Sequence, residues 1–132
     1  MRKPLILTHF QRLLLLFLVG SIIHSCKSDR SPLLHGTWQA ASLTEQGDSL
    51  AVNLADIGFV FKADGRYAYR STLAYQESGH YRLTGKYLYS QDTTQRDAAE
   101  KAVEVLQLTP DSLQLRMLDA GQERRLLLLK QE

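Results

Sequence analysis

The sequence is poor in cysteine and nearly neutral in charge, and each shortage excludes a class of protein. Its single cysteine, Cys26, cannot form an internal disulfide, a zinc cluster or a redox pair. The 16 lysines and arginines exceed the 14 aspartates and glutamates by only two. Three of the positive residues lie within the first 25 positions, so the rest of the chain carries 13 against 14, a net charge of −1. A basic surface for nucleic acid is therefore missing, and we exclude nucleic-acid binding.

Motifs that carry chemistry are scarce as well. His35 and His80 are the histidines beyond residue 25, and their spacing does not match a metal site. The sequence contains no nucleophile-elbow motif, and it gives no reason to propose a cofactor. We therefore expect a protein that is not an enzyme and that holds neither a metal nor a cofactor.

The first 25 residues are typical of an export signal. Positive residues come first, and an apolar stretch at 13–23 follows. That stretch is shorter than the roughly 20 residues that a membrane-spanning helix needs. It ends in Ile23-His24-Ser25-Cys26, which resembles a bacterial lipobox. The resemblance implies transfer of diacylglycerol to the Cys26 thiol and cleavage after Ser25.

A lipid on Cys26 would hold the chain at a membrane, because several acyl chains on one residue give stable anchoring. The sequence therefore predicts a lipid-anchored protein of the cell envelope, at the outer membrane. It divides into three segments: a cleaved signal peptide at 1–25, the lipidated cysteine with a polar tether at 26–32, and one folded domain at 33–132. A domain of that size can bury a core without disulfides.

Short β-type runs alternate with turn residues throughout the folded domain, which is typical of a sandwich or barrel. Many runs also alternate apolar and polar residues, as a half-buried strand does. We predict eight strands: Gly36–Leu43, Ile57–Lys62, Arg66–Tyr75, Gly79–Thr84, Lys86–Ser90, Ala102–Thr109, Ser112–Leu118 and Gln122–Lys130. The fold class is all-β, a single antiparallel up-and-down barrel.

Three segments are less regular. The segment 50–56 is compatible with a short strand or a helical turn, and 94–106 with at most one or two helical turns before pairing resumes near Ala102. The run 126–129 is apolar on both faces, so we expect a segment near 44–56 to cover its outer side.

Four motifs recur in an order that resembles the small lipocalin-like lipoproteins of the Bacteroidota. They are Leu34 with Gly36-Thr37-Trp38, Phe59-Val60-Phe61, Asp64-Gly65-Arg66-Tyr67, and Asp111-Ser112-Leu113-Gln114-Leu115. The resemblance covers nearly all of 33–132. It implies a lipocalin-like barrel in which Gly36 and Trp38 mark the closed end and a basic residue of the last strand, Arg124 or Arg125, packs on the tryptophan. The chain is shorter than a full lipocalin, so its own side chains can fill the barrel.

All six tyrosines lie between positions 67 and 89. Five of them are candidates for a ligand-contacting aromatic wall: Tyr67, Tyr69, Tyr81, Tyr87 and Tyr89. Tyrosine offers a broad apolar face and a hydroxyl that can orient a ligand. The alternative is ordinary packing with the hydroxyls at the barrel rim.

Basic residues on the neighbouring strands are a second candidate. Arg66, Arg70, Arg82 and His80 are expected on one outer strip, which could hold an anionic group or could simply be a solvated face.

The leading functional hypothesis is a non-enzymatic module that binds a small apolar or amphiphilic ligand at the open barrel end. The alternative is an accessory module with a filled barrel that docks on a protein partner in the envelope. Interior volume separates the two: a large cavity favours a ligand, whereas a packed interior beside exposed apolar residues favours docking.

Overall fold

The computed structural model describes residues 28–132. The predicted signal peptide and Cys26 lie outside the described residues. A single helical turn, α1 (Ser31–Leu34), comes first. Nine strands follow: β1 (Gly36–Glu45), β2 (Asp48–Ser49), β3 (Gly58–Phe61), β4 (Arg66–Arg70), β5 (Gln76–Thr84), β6 (Tyr87–Asp92), β7 (Lys101–Leu108), β8 (Ser112–Asp119) and β9 (Gln122–Lys130).

Eight of these strands close into an antiparallel barrel. The order around the wall is β1-β3-β4-β5-β6-β7-β8-β9, and β9 pairs with β1 from Trp38↔Lys130 to Glu45↔Arg124. The two-residue strand β2 pairs with the end of β1 alone and stands outside the ring. The predicted eight-stranded antiparallel barrel is confirmed. Closure leaves the barrel wall without a free edge, which removes the usual route to edge-to-edge aggregation.

One predicted strand was too long. The run expected to reach Tyr75 ends at Arg70, because Leu73 and Ala74 have φ values of 58° and 57°. The Tyr75 amide donates to the Thr72 carbonyl across these two residues. Two positive φ values in the centre of a turn are the pattern of a type I′ hairpin, which Asn and Gly usually occupy. Since neither Asn nor Gly is present at these two positions, the residues of the turn do not predict it.

The irregular segments are also resolved. The segment 50–56 contains a 3₁₀ turn, Leu54–Asp56, so the helical alternative is the right one there. No helical turn forms at 93–100, and β7 begins at Lys101, so the prediction that strand pairing resumes near Ala102 is confirmed. Leu129 stays 44% exposed, so no segment covers that outer position in the way we expected.

The core fills the barrel from its closed end. Leu34 of α1 is fully buried there, close to Trp38. The buried apolar residues are Leu34, Trp38, Ala40, Ile57, Phe61, Tyr67, Tyr81, Leu88, Val105, Leu113, Leu115, Leu126 and Leu128. All of them belong to 34–128, and every barrel strand contributes at least one. This segment therefore has its own core and a closed hydrogen-bonded wall, which is what an independently folding unit requires.

Within residues 28–132, no helix combines the length and the apolar character that spanning a membrane would take.

Candidate functional site

The closed end is organised around Trp38. The indole Nε1 donates to the Leu34 carbonyl at 2.7 Å, which ties α1 to the barrel. The Lys130 ammonium lies 4.9 Å from the Trp38 ring centroid and donates to the Leu33 carbonyl at 3.0 Å. Gly36 has a φ of 132° and lies against the Lys130 side chain. These contacts fix the closed end of the barrel around the fully buried Trp38.

The basic partner of the tryptophan is therefore Lys130, and the expectation of Arg124 or Arg125 is wrong. Arg124 faces Glu45 at the opposite end of the barrel, with its Nε 2.5 Å from Glu45 Oε2. Arg125 lies on the outer surface and pairs with Glu123. The register explains the difference, because β9 places Lys130 and not an arginine directly opposite Trp38.

The five candidate tyrosines do not form one wall. Tyr67 and Tyr81 are buried in the lumen, and Tyr69 points the same way, with its ring 4.5 Å from the Phe59 ring. On β6 the buried Leu88 takes the inward position, so its neighbours Tyr87 and Tyr89 face outward. The expectation that all five gather on one face is wrong, because pairing places Leu88 opposite Leu83 and turns the odd-numbered residues of β6 away from the core.

A buried carboxylate lies among the inward tyrosines. Glu77 of β5 is only 7% exposed. The Tyr67 hydroxyl donates to its Oε1 at 2.8 Å, and the Tyr75 hydroxyl donates to its Oε2 at 2.7 Å. Lys101 of β7 donates to the same Oε2 at 3.0 Å. A second buried acid, Asp92, accepts from the backbone and side chain of Thr94.

These contacts shift the ionisation of the group. Burial alone would raise the pKa of Glu77, but hydrogen bonds from Tyr75, Lys101 and Tyr67 outweigh it, so the pKa lies below its ordinary value. The hydrogen bond to Glu77 raises the pKa of Tyr75 to about 12. Burial, with the same acceptor, raises the pKa of Tyr67 further still. Glu77 therefore remains an anion at neutral pH while both tyrosines keep their protons.

The sequence analysis missed this cluster. The predicted strand begins at Gly79, which places Glu77 in the preceding connection, whereas β5 begins at Gln76. The signal that could have found it is the period of two from Glu77 through Gly79 to Tyr81, which places an acid on the same face as two core positions.

The lumen itself is packed. Buried apolar side chains from every barrel strand meet inside it. Three cavities border the described part of the chain, and none of these three is bounded by opposite walls of the barrel. One, of about 490 Å³, lies between Ser28–Arg30 and the β5–β6 turn. Another, of about 280 Å³, lies beside Arg70 and the β4–β5 turn.

The cavity with the largest volume of the three lies on the outer wall. It measures about 550 Å³. We call it the outer groove; it is lined by Thr37, Trp38, Gly58, Phe59, Val60, Ala68, Tyr69, Arg70, Gln76, Glu77, Ser78 and Thr94. These residues come from the neighbouring strands β1, β3, β4 and β5 and the loop after β6. A lumenal cavity would also touch β7, β8 or β9, so the groove lies outside the barrel.

Small side chains form the floor of the outer groove. Thr37 is opposite Val60, Val60 is opposite Ala68, and Ala68 is opposite Ser78. All four alternate with inward residues and therefore point away from the core. The row of short side chains runs across four strands and leaves a depression between longer neighbours.

The candidate basic strip is only partly brought together. Arg70 lines the outer groove, and Arg66 lies four residues away on the same face, directly opposite His80. Arg82 shares the same outer face, two residues beyond His80 on β5, but its guanidinium stacks 3.8 Å from the Tyr89 ring centroid and pairs with Glu100. No cluster of three or more potential metal ligands occurs among residues 28–132.

The chain matches no protein-family model and no curated protein. It is similar in structure to an uncharacterized protein from Bacteroides eggerthii DSM 20697, at a TM-score of 0.51 and 16% sequence identity. The match covers 74% of this chain and 99% of that one. A likeness at this identity establishes a shared fold.

Proposed function

We propose that this protein is a lipid-anchored, non-enzymatic accessory module of the bacterial cell envelope, which docks on a protein partner through the open end of a filled lipocalin-like barrel. The lipobox-like segment supports the anchor, and a lipid on Cys26 would tether the chain next to the closed end, where residues 28–34 lie. The open end then faces away from the membrane.

The observation that carries this proposal is the presentation of Leu73. Its side chain is 99% exposed, at the tip of the β4–β5 turn. Holding Leu73 and Ala74 in the left-handed region costs on the order of 1–3 kcal/mol each, and strain of this kind concentrates at functional sites. Leu118, which is 77% exposed, and Val52 also lie at the open end. Exposed apolar side chains around a packed barrel favour docking over storage of a ligand inside it.

Photo-crosslinking in cells tests the proposal. A benzoylphenylalanine placed at position 118 is expected to form one adduct of discrete mass, and Leu73→Asp is expected to abolish it because a carboxylate would be buried in the same interface. Leu129→Asp is the matched control, since Leu129 is exposed on the outer wall near the closed end. An adduct that survives Leu73→Asp, or that Leu129→Asp removes equally, would refute docking at the open end.

A further inference from the structure

We propose that the outer groove is a binding site for an anionic small molecule with an apolar body. Its volume of about 550 Å³ falls in the range of roughly 300–1,000 Å³ that small-molecule sites occupy. Leu73, Leu118 and Val52, the exposed apolar residues proposed for docking, do not line the groove, so the two proposals can be tested independently.

The charge of Arg70 is held in place at the groove. Its guanidinium donates to the Ala55 carbonyl at 2.6 Å and to Gln39 Oε1 at 2.5 Å. It also lies next to Gly58, where a Cβ would come within 2.9 Å of Nη2. A glycine on β3 therefore makes room for the guanidinium. Because both acceptors are neutral, the contacts orient the positive charge without cancelling it.

The positive charge beside the groove has no internal counter-ion. Four other arginines of the barrel pair with carboxylates: Arg82, Arg116, Arg124 and Arg125. Within residues 28–132, neither Arg66 nor Arg70 has a carboxylate in ion-pair range. Asp56 lines the adjoining cavity with Arg70 but does not pair with it. Arg66 and Arg70 are both on β4, two residues before and two residues after Ala68, so they share its outward face on either side of the floor. Arg70 lines the groove, and Arg66 lies just beyond its lining.

The residues of the floor determine which chemical groups the ligand should carry besides its anionic group. The Val60 and Ala68 side chains and the Thr37 methyl offer apolar surface, and Ser78 and Gln76 add polar edges. A carboxylate, sulfonate or phosphate would be drawn to the arginines, which match such groups in geometry as well as in charge. A neutral apolar molecule would forgo this attraction, and a purely inorganic anion would leave the apolar floor unused.

Fluorescence titration with 1-anilinonaphthalene-8-sulfonate tests the site on the chain from Lys27 to Glu132. Ala68→Phe fills the floor and is expected to weaken binding about tenfold or more, and Arg66→Gln about three- to tenfold. The matched controls are Ala102→Phe, on the outer face of β7, and Arg82→Gln; both are expected to leave the dissociation constant unchanged. Circular dichroism and thermal unfolding verify that each variant is folded.

Two further measurements make the result decisive. N-phenyl-1-naphthylamine, which keeps the rings and lacks the sulfonate, is expected to bind about tenfold more weakly or worse. Leu73→Asp is expected to leave sulfonate binding unchanged, because Leu73 lies outside the groove. Equal affinity in Ala68→Phe and Ala102→Phe, or equal affinity for the neutral and sulfonated probes, would overturn the proposal.

Discussion

The hydroxyl of Tyr67 is expected to be a large single contributor to stability, and Tyr67→Phe removes only that hydroxyl. The substitution keeps the buried ring and its packing. It deletes the 2.8 Å hydrogen bond to Glu77 Oε1. No other hydrogen bond to this oxygen is formed within residues 28–132, since Tyr75 and Lys101 both donate to Oε2. The variant therefore leaves one buried oxygen of an ionised carboxylate without a donor.

The magnitude follows from burial. A hydrogen bond to a charged group contributes about 1.5–3 kcal/mol, and leaving its buried partner unsatisfied costs a similar amount. Tyr67 is 3% exposed, so water cannot replace its hydroxyl without entering the core. Tyr75 makes an equally short bond to the same carboxylate but is 42% exposed, so water can replace it. We expect Tyr67→Phe to lose about 1.5–3 kcal/mol of the free energy of unfolding and Tyr75→Phe less than about 1 kcal/mol.

Urea denaturation at pH 7, followed by circular dichroism, measures these differences on the chain from Lys27 to Glu132. A loss of this size also lowers Tm by roughly 6–24 °C for a domain of about 100 residues. Tyr87→Phe is the control, because its hydroxyl makes no hydrogen bond within residues 28–132, and it should stay within about 0.5 kcal/mol of the parent. Equal losses from Tyr67→Phe and Tyr75→Phe would refute the argument from burial.

Three further outcomes follow from the structure. Because the pKa of Glu77 is depressed in the folded state, its ionised form stabilises the protein above the ordinary glutamate pKa of about 4.3, and this contribution is lost as the pH falls through the folded value. Urea unfolding should find Glu77→Gln less stable than the parent at pH 7, with a gap that narrows steadily as the pH falls below about 4.3. A gap that does not change with pH would contradict this. Lys130→Met should lower the free energy of unfolding by about 1–2 kcal/mol, because it removes the ammonium from the Trp38 ring and the Leu33 carbonyl. Arg125→Met, on the surface, should lower it by less than about 0.5 kcal/mol. Similar losses from the two variants would restore Arg125 as a candidate partner of Trp38. Cys26→Ala should leave the protein unprocessed or unanchored, and recovery of the variant at mature size in the membrane fraction would rule out the lipid anchor.

Strand number and order were accessible from the sequence because they depend on local patterns. Turn residues such as Asp64-Gly65 and alternating apolar positions act over a few residues, so they mark hairpins wherever the chain goes. The turn at Leu73 and Ala74 was not predicted, because it does not depend on a local pattern. Its left-handed backbone is imposed by the pairing of β4 with β5 and not by the preference of its own residues.

The candidate sites were less accessible, since they depend on register. Whether Arg124 or Lys130 reaches Trp38 is decided by which residues of β9 face β1 after closure. The same pairing decides that Tyr67 points inward and Tyr89 outward. A shift of one residue exchanges the two faces of a strand, and the sequence fixes such a shift only through contacts between distant segments.

The amino-acid sequence by itself determined that this chain forms an all-β barrel, because hairpin turns and strand alternation are local properties. Tertiary structure alone decided that the barrel is filled, that Glu77 lies inside it beside Tyr67, and that the cavity beside Arg70 lies on its outer wall. These features arise where strands far apart in the sequence meet. Their positions depend on closure of the sheet, which no short segment encodes.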